Sequence, residues 1–117
     1  MSPRAPATAP PTEALKARFA RNLTRCREEA DVSQEELGFR ASLHRTEISL
    51  LERGERIPRV DTAVRLAGSL GVPLDDLAVG LEWKPGYTIV VPGEWEVVKR
   101  PEAADGNNSE PTDDPDG

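Results

Sequence analysis

The stretch at 33–58, SQEELGFRASLHRTEISLLERGERIP, constrains the fold more than any other part of the chain. Its apolar residues Leu37, Ala41, Leu43, Ile48 and Leu51 are spaced for two short helices that pack on each other across a tight turn. Ser33 is a good N-cap, and Glu36 three residues later completes a capping box, so a helix is predicted over about 34–40 with Leu37 inward. Gly38 supplies the small residue needed where the second helix crosses the first. Ala41, Ser42 and Leu43 make the turn. The next helix places Ile48 and Leu51 inward and stops at Gly54, a candidate left-handed cap, and Pro58 closes the following loop.

Helical periodicity continues on both sides. Leu15, Phe19, Leu23, Cys26 and Ala30 form one face of a first helix that starts near Thr12 and Glu13 and breaks at Asp31, Val32 and Ser33. Val60, Val64, Leu66, Ala67 and Leu70 mark a fourth helix ending at Gly71. Pro73 opens a short fifth helix with Leu74 and Leu77 inward, its start favoured by the charges of Asp75 and Asp76. The texture then changes to YTIVVPGEWEVV, where 87–91 and 94–98 are expected to pair as a hairpin about Pro92 and Gly93. Alternation there puts Trp95 and Val97 on one face.

The chain divides accordingly. A disordered arm is expected over 1–12, with four prolines and no apolar period, and a disordered acidic tail over 101–117. Between them lie a helical domain at 13–80 and a hairpin extension at 81–100. The fold class expected is all-α, a five-helix bundle carrying a C-terminal β-hairpin. A length of 117 residues suits this one small domain with tails.

Charge is divided the same way. The net charge is −6, yet residues 13–70 hold 11 Lys/Arg against 10 Asp/Glu, while residues 71–117 hold 3 against 11. Ten of the eleven cations at 13–70 are arginine, which suits phosphate and base edges better than lysine does. Cys26 is the only cysteine, which removes an intramolecular disulfide and a cysteine-rich metal site. No apolar run approaches the ~18 residues of a membrane span, and the N-terminus lacks the apolar region of a signal peptide, so a cytoplasmic protein is expected. No Gly-rich phosphate loop, metal-spaced set or catalytic triad is present in the sequence, so neither an enzyme nor a cofactor is expected.

The second helix of the motif carries His44, Arg45, Thr46, Ser49 and Arg53 on the side away from its apolar residues. The stretch as a whole resembles the Cro/phage-repressor type of helix-turn-helix, the XRE family. Ser-Gln opens one helix, Ile-Ser and Leu-Glu-x-Gly close the next, and a Pro follows; LAGSLGVPLDDLAVG is similar to that family's fourth and fifth helices. The resemblance covers about residues 15–80. It implies that the helix at 44–52 enters the DNA major groove. It further implies that Gln34 meets a phosphate, that His44, Arg45, Thr46 and Ser49 face base edges, that Leu50 touches a thymine methyl, and that Arg53 and Arg56 reach phosphates. Arg27 and Glu52 match the positions of a structural salt bridge between the first and third helices. Two positions depart from the pattern: Ser42 stands where Gly is usual in the turn, and His44 opens the third helix where Ser is usual.

The function expected is a sequence-specific transcriptional regulator, a repressor by its likeness, bound to double-stranded DNA as a homodimer on a palindromic operator. Two alternatives stay open. One is an antitoxin that autoregulates through the same domain and holds a protein partner through 81–117. The other is a protein-interaction adaptor without DNA binding. For Trp83 and Trp95 the choice is between a dimer interface and a cover for the domain's own core.

Overall fold

A computed structural model of the protein describes residues 10–88 and 90–98. The chain forms α1 (Glu13–Glu29), α2 (Gln34–Ala41), α3 (Arg45–Glu52), α4 (Val60–Leu70) and α5 (Leu74–Ala78), then an antiparallel pair of strands, β1 (Leu81–Lys84) and β2 (Glu94–Val97). The helical bundle with a hairpin extension is the architecture the periodicity predicts. The expected tail at 101–117 and most of the expected arm at 1–12 lie outside the described residues.

The core is aliphatic and drawn from every helix. Leu23 of α1, Leu37 of α2, Ile48 and Leu51 of α3, Leu66 of α4 and Leu77 of α5 are fully buried, each worth about 1.5–3 kcal/mol relative to exposure. Phe19 and Cys26 join them from α1. Five expected core residues, Leu15 and Ala30 of the first helix's face among them, do not. Val60 is 78% exposed, Val64 51% and Leu74 41%. Val60 and Leu74 are the first residues of their helices, beyond the edge of the core. Val64 is turned about 100° from Ala63, on whose side α4 faces inward. Ala30 is likewise exposed, as the C-cap of α1.

Four helices end by one device. The residue after each helix, or one further on, is left-handed: Asp31 (φ 59°), Ser42 (58°), Gly54 (72°) and Gly71 (70°). The amide of the following residue then reaches back to a carbonyl in the last turn, as in Val32 N–H to Arg27 O (3.2 Å), Leu43 to Gly38 (2.8 Å), Glu55 to Leu50 (3.0 Å) and Val72 to Ala67 (3.0 Å). Val32 is itself part of the core, and Leu43 and Val72 pack against it, so the closing residue turns the chain and fills space at once. At the start of α2 the capping box is only half formed. Ser33 Oγ accepts from Glu36 N–H at 3.0 Å, but the Glu36 carboxylate pairs with Arg40.

α5 is too short to satisfy its own carbonyls, and a polar residue in the core does so. Asn22 is fully buried, and its Nδ2 donates to Leu77 O (3.0 Å) and Val79 O (2.9 Å). Its Oδ1 accepts from Arg25 Nη1 at 3.1 Å, so the amide is satisfied at both ends.

The hairpin differs from the expected one. β2 pairs with 81–84 and not with 87–91, in the register Leu81↔Val97 to Lys84↔Glu94. The segment 85–93 is the connection, and its described residues include an isolated bridge between Thr88 and Val91. Ile89 of the expected strand lies outside the described residues. The physical reason is the aromatic pair: Trp83 faces Trp95 across the ladder, edge to face, with centroids 5.2 Å apart. Gly93 lies against the Trp83 ring, where a Cβ would collide. A type II turn at Pro92 and Gly93 would also have splayed the strands it joined. Val98 N–H donates to Gly80 O at 2.6 Å and closes the base of the hairpin, while β2 rests on α1.

The left-handed conformation of Ser42 carries a steric cost of ~1–2 kcal/mol that glycine does not have. Glycine would loosen the unfolded chain by ~0.4–1 kcal/mol. Ser42→Gly should therefore stabilise the protein by about 0.5–1 kcal/mol in urea denaturation followed by far-UV circular dichroism; a loss of stability would show that the serine contributes more than its backbone angle costs.

Candidate nucleic-acid interface

α3 is held from within and open outside. Ile48 and Leu51 are fully buried, while Arg45 and Thr46 are exposed and Ser49 and Leu50 half-buried. The approach of α3 to α2 is set by Gly38, because a Cβ there would stand 2.7 Å from Leu43 O and force the backbone to shift. Arg65 of α4 donates to Ala41 O (3.1 Å) and Ser42 O (3.3 Å), satisfying carbonyls at the end of α2 and bracing the turn. His44 is the N-cap: its Nδ1 accepts from Thr46 N–H at 3.2 Å and lies 3.1 Å from Thr46 Oγ1. The ring thereby fixes the first turn of α3.

The far end is fixed by Glu52. Arg27 Nε and Nη2 donate to its two oxygens at 2.6 and 3.1 Å, and Arg27 Nη1 donates to Val32 O at 2.9 Å. The side chains of Arg27 and Glu52 are only 15% and 6% exposed. The hydrogen bond that Arg27 donates to Glu52 outweighs burial and holds the guanidinium proton more tightly than usual. This is the tie between α1 and α3 that the resemblance implied. Gln34 belongs to it as well, since its Nε2 donates to Glu52 Oε1 at 3.0 Å. The side chain expected on a phosphate is thus engaged inside the domain.

The cations of the outer surface are unequal. Arg45 has no hydrogen-bond or ion-pair partner among the described residues. Arg53 donates to Ser49 Oγ (2.6 Å) and forms a pair with Glu55 (3.1 Å), which raises the Arg53 pKa and lowers that of the Glu55 carboxyl. Arg56 pairs with Glu47 at 2.9 Å. His44, Arg45, Thr46, Ser49, Leu50, Arg53 and Arg56 thus all lie on or beside α3 with some exposure, and two carboxylates, Glu47 and Glu55, stand among them as ion-pair partners. For these two, a tally of acids within the α3 segment was the available sequence signal.

Among the described residues no group of three or more His, Cys, Asp or Glu side chains could hold a metal ion. No described helix is long and apolar enough to cross a membrane. Cys26 is buried, and burial pushes its thiol pKa up, away from reactivity.

Two short helices crossing at a tight turn, the second presenting its polar side to solvent from a five-helix bundle, define a helix-turn-helix DNA-binding module of the transcription-regulator class. The chain belongs to the helix-turn-helix family HTH_3, whose model matches residues 23–77. The restriction-modification controller protein C.AhdI from Aeromonas hydrophila is similar in structure, with a TM-score of 0.53 and 30% identity over 55% of this chain and 97% of that one. The hypothetical transcription factor NHTF from Neisseria has a TM-score of 0.53 and 32% identity, covering 63% of this chain and 83% of its own. Control protein C.BamHI from Bacillus amyloliquefaciens is 44% identical over 48 residues, which are 41% of this chain and 59% of that protein. This chain thus spans under two thirds of that curated relative. β1 and β2 lie outside the family match.

Removing Glu52 would leave Arg27 enclosed without its counter-charge. Glu52→Ala should cost roughly 3–5 kcal/mol of folding stability. DNA binding should fall only by the fraction of protein unfolded. An unchanged urea midpoint together with lost DNA binding would instead make Glu52 a contact residue.

Proposed function

We propose that this protein is a sequence-specific regulator that binds a palindromic operator as a homodimer, with α3 in the major groove. The observation that carries this reading is the state of α3: its inner side and both ends are fixed, while its outer side presents Arg45, without a partner among the described residues, beside Thr46, Ser49 and Leu50. Arg45 suits bidentate donation to a guanine, Thr46 and Ser49 hydrogen bonding to base edges, and Leu50 apolar contact with a thymine methyl. Arg53 and Arg56 supply phosphate contacts from beside the helix. Likeness to control proteins of restriction-modification systems supports a regulatory role, exercised in the cytoplasm where the DNA is.

Selection of bound sequences from random duplex tests the reading directly. One enriched motif with two-fold symmetry is the expected result, and no enrichment at low salt would reject DNA reading altogether. Within that site, Arg45→Ala should weaken operator binding by about 1–3 kcal/mol and scrambled duplex little. Arg53→Ala should weaken both alike. Because Arg53 already carries Glu55, its loss should flatten the salt dependence by less than the ~0.9 unit that a free cation contributes. Titrations at several salt concentrations separate the two roles, and equal losses on both duplexes for both variants would contradict the division.

The hairpin is the proposed route to a second protein chain. Tyr87 and Val90 are 82% and 80% exposed, and Trp83, Val91 and Val97 are each more than 40% exposed, on a segment the family's helices do not need. A partner hairpin across a two-fold axis would cover these side chains and hold two α3 helices about one DNA turn apart, roughly 34 Å. Because Tyr87 and Val90 contribute little to the core, Tyr87→Ser with Val90→Ser should leave the fold intact and shift sedimentation from dimer to monomer. A double variant that sediments as the parent does would remove this segment from the interface.

A further inference from the structure

Glu47 sits in the first turn of α3, between Thr46 and Ile48, at the end of the helix that the proposed function presents to bases. A carboxylate there is unexpected on electrostatic grounds. The groove is lined with phosphates, and an uncompensated negative charge in it would be repelled. The structure compensates this one. Arg56, from the loop after α3, donates through Nη1 to Glu47 Oε1 at 2.9 Å. The pair is unevenly placed: Arg56 is half exposed (50%), Glu47 less so (28%). Oε2 of Glu47 has no hydrogen-bond partner among the described residues. The result is a neutralised acceptor at the edge of the surface around Arg45 and Thr46.

A single acceptor that cannot donate distinguishes bases by the groups they offer. In the major groove guanine and thymine offer only acceptors to hydrogen-bond with, while cytosine N4 and adenine N6 are both amino donors; adenine sets its N7 acceptor beside that donor, where it repels a carboxylate, so cytosine is the better partner. We propose that Glu47, with Arg56 as its counter-ion, is a specificity-determining residue that selects cytosine at one operator position through Oε2. This rests on the DNA-reading function proposed above. It also changes the part assigned to Arg56: the guanidinium positions and neutralises Glu47 as well as meeting a phosphate. Arg45 and Glu47 then form complementary readers, one a donor seeking guanine and the other an acceptor seeking an amino group.

Glu47→Gln is the informative variant. It keeps the shape and the bond from Arg56 but gives the side chain a donor, which suits adenine through N6 and N7. The full-length parent and variant would each be taken through selection from random duplex, and their melting temperatures compared. In the parent, one position should be dominated by cytosine. In the variant that position alone should move toward adenine or lose its preference, and parental operator should be bound roughly 5- to 150-fold more weakly. Glu47→Ala, run in parallel, should lose the same preference without gaining another, and covers the case in which the Gln variant fails to fold. If the parent enriches a motif and the variants return the same motif with affinities shifted equally at all sites, Glu47 acts only on helix stability or net charge and the proposal fails. If the parent itself enriches nothing, the fault lies with the DNA-reading function.

Discussion

The bidentate bond between Arg27 and Glu52 governs the geometry of everything around it. Its value does not lie in net stabilisation, because taking two charges out of water offsets much of their attraction. Its value lies in direction. Glu52 is the last residue of α3, and a planar guanidinium fixes a carboxylate in both distance and plane. Val32 O accepts a further bond from Arg27 and the Gln34 amide donates one to Glu52, so the pair also gathers the end of α1 and the start of α2. With His44 holding the opposite end, an eight-residue helix that would not persist alone is clamped at both termini. Polar groups thus fasten α3 at its two ends, and the apolar contacts of Ile48 and Leu51 set its depth.

The same surface shows restraint in its charge. Two of its three arginines are matched by carboxylates, at 3.1 and 2.9 Å, and Arg45 has no partner among the described residues. Exposed pairs of this kind are individually weak, so phosphates can compete for their cations. Under the proposed function this lowers attraction to DNA in general and leaves discrimination to the geometry of the first turn. A regulator needs that ratio more than it needs raw affinity, since non-target sequence is in vast excess.

How much of this was legible beforehand depends on the kind of signal. The five helices follow from apolar spacing, and two of their ends from Gly54 and Gly71. The same closure at Asp31 and Ser42 was visible as a break but not as the same left-handed turn, because those residues do not announce a positive φ. Val60, Val64 and Leu74 misled for a geometric reason: periodicity identifies a face but not where the core ends along it. The hairpin was placed six residues too late in its first strand, since β-branched residues at 87–91 outweighed the Trp83 and Trp95 pair, a contact between residues twelve apart. The Arg27–Glu52 tie came through the resemblance alone. Asn22 gave no sign at all, because its partners are backbone carbonyls that have no letter in the sequence.

The aromatic pair has one more consequence. Trp83 and Trp95 are the only tryptophans in the chain, and both sit in the hairpin, so no indole lies within the helices. The molecule is thereby labelled in two optical channels without modification. Intrinsic tryptophan emission belongs to the extension, while the far-ultraviolet signal belongs overwhelmingly to the bundle. Whether the extension melts as one cooperative unit with the helices, or as a separate foldon, can be read from a single unmodified sample by overlaying the two transitions.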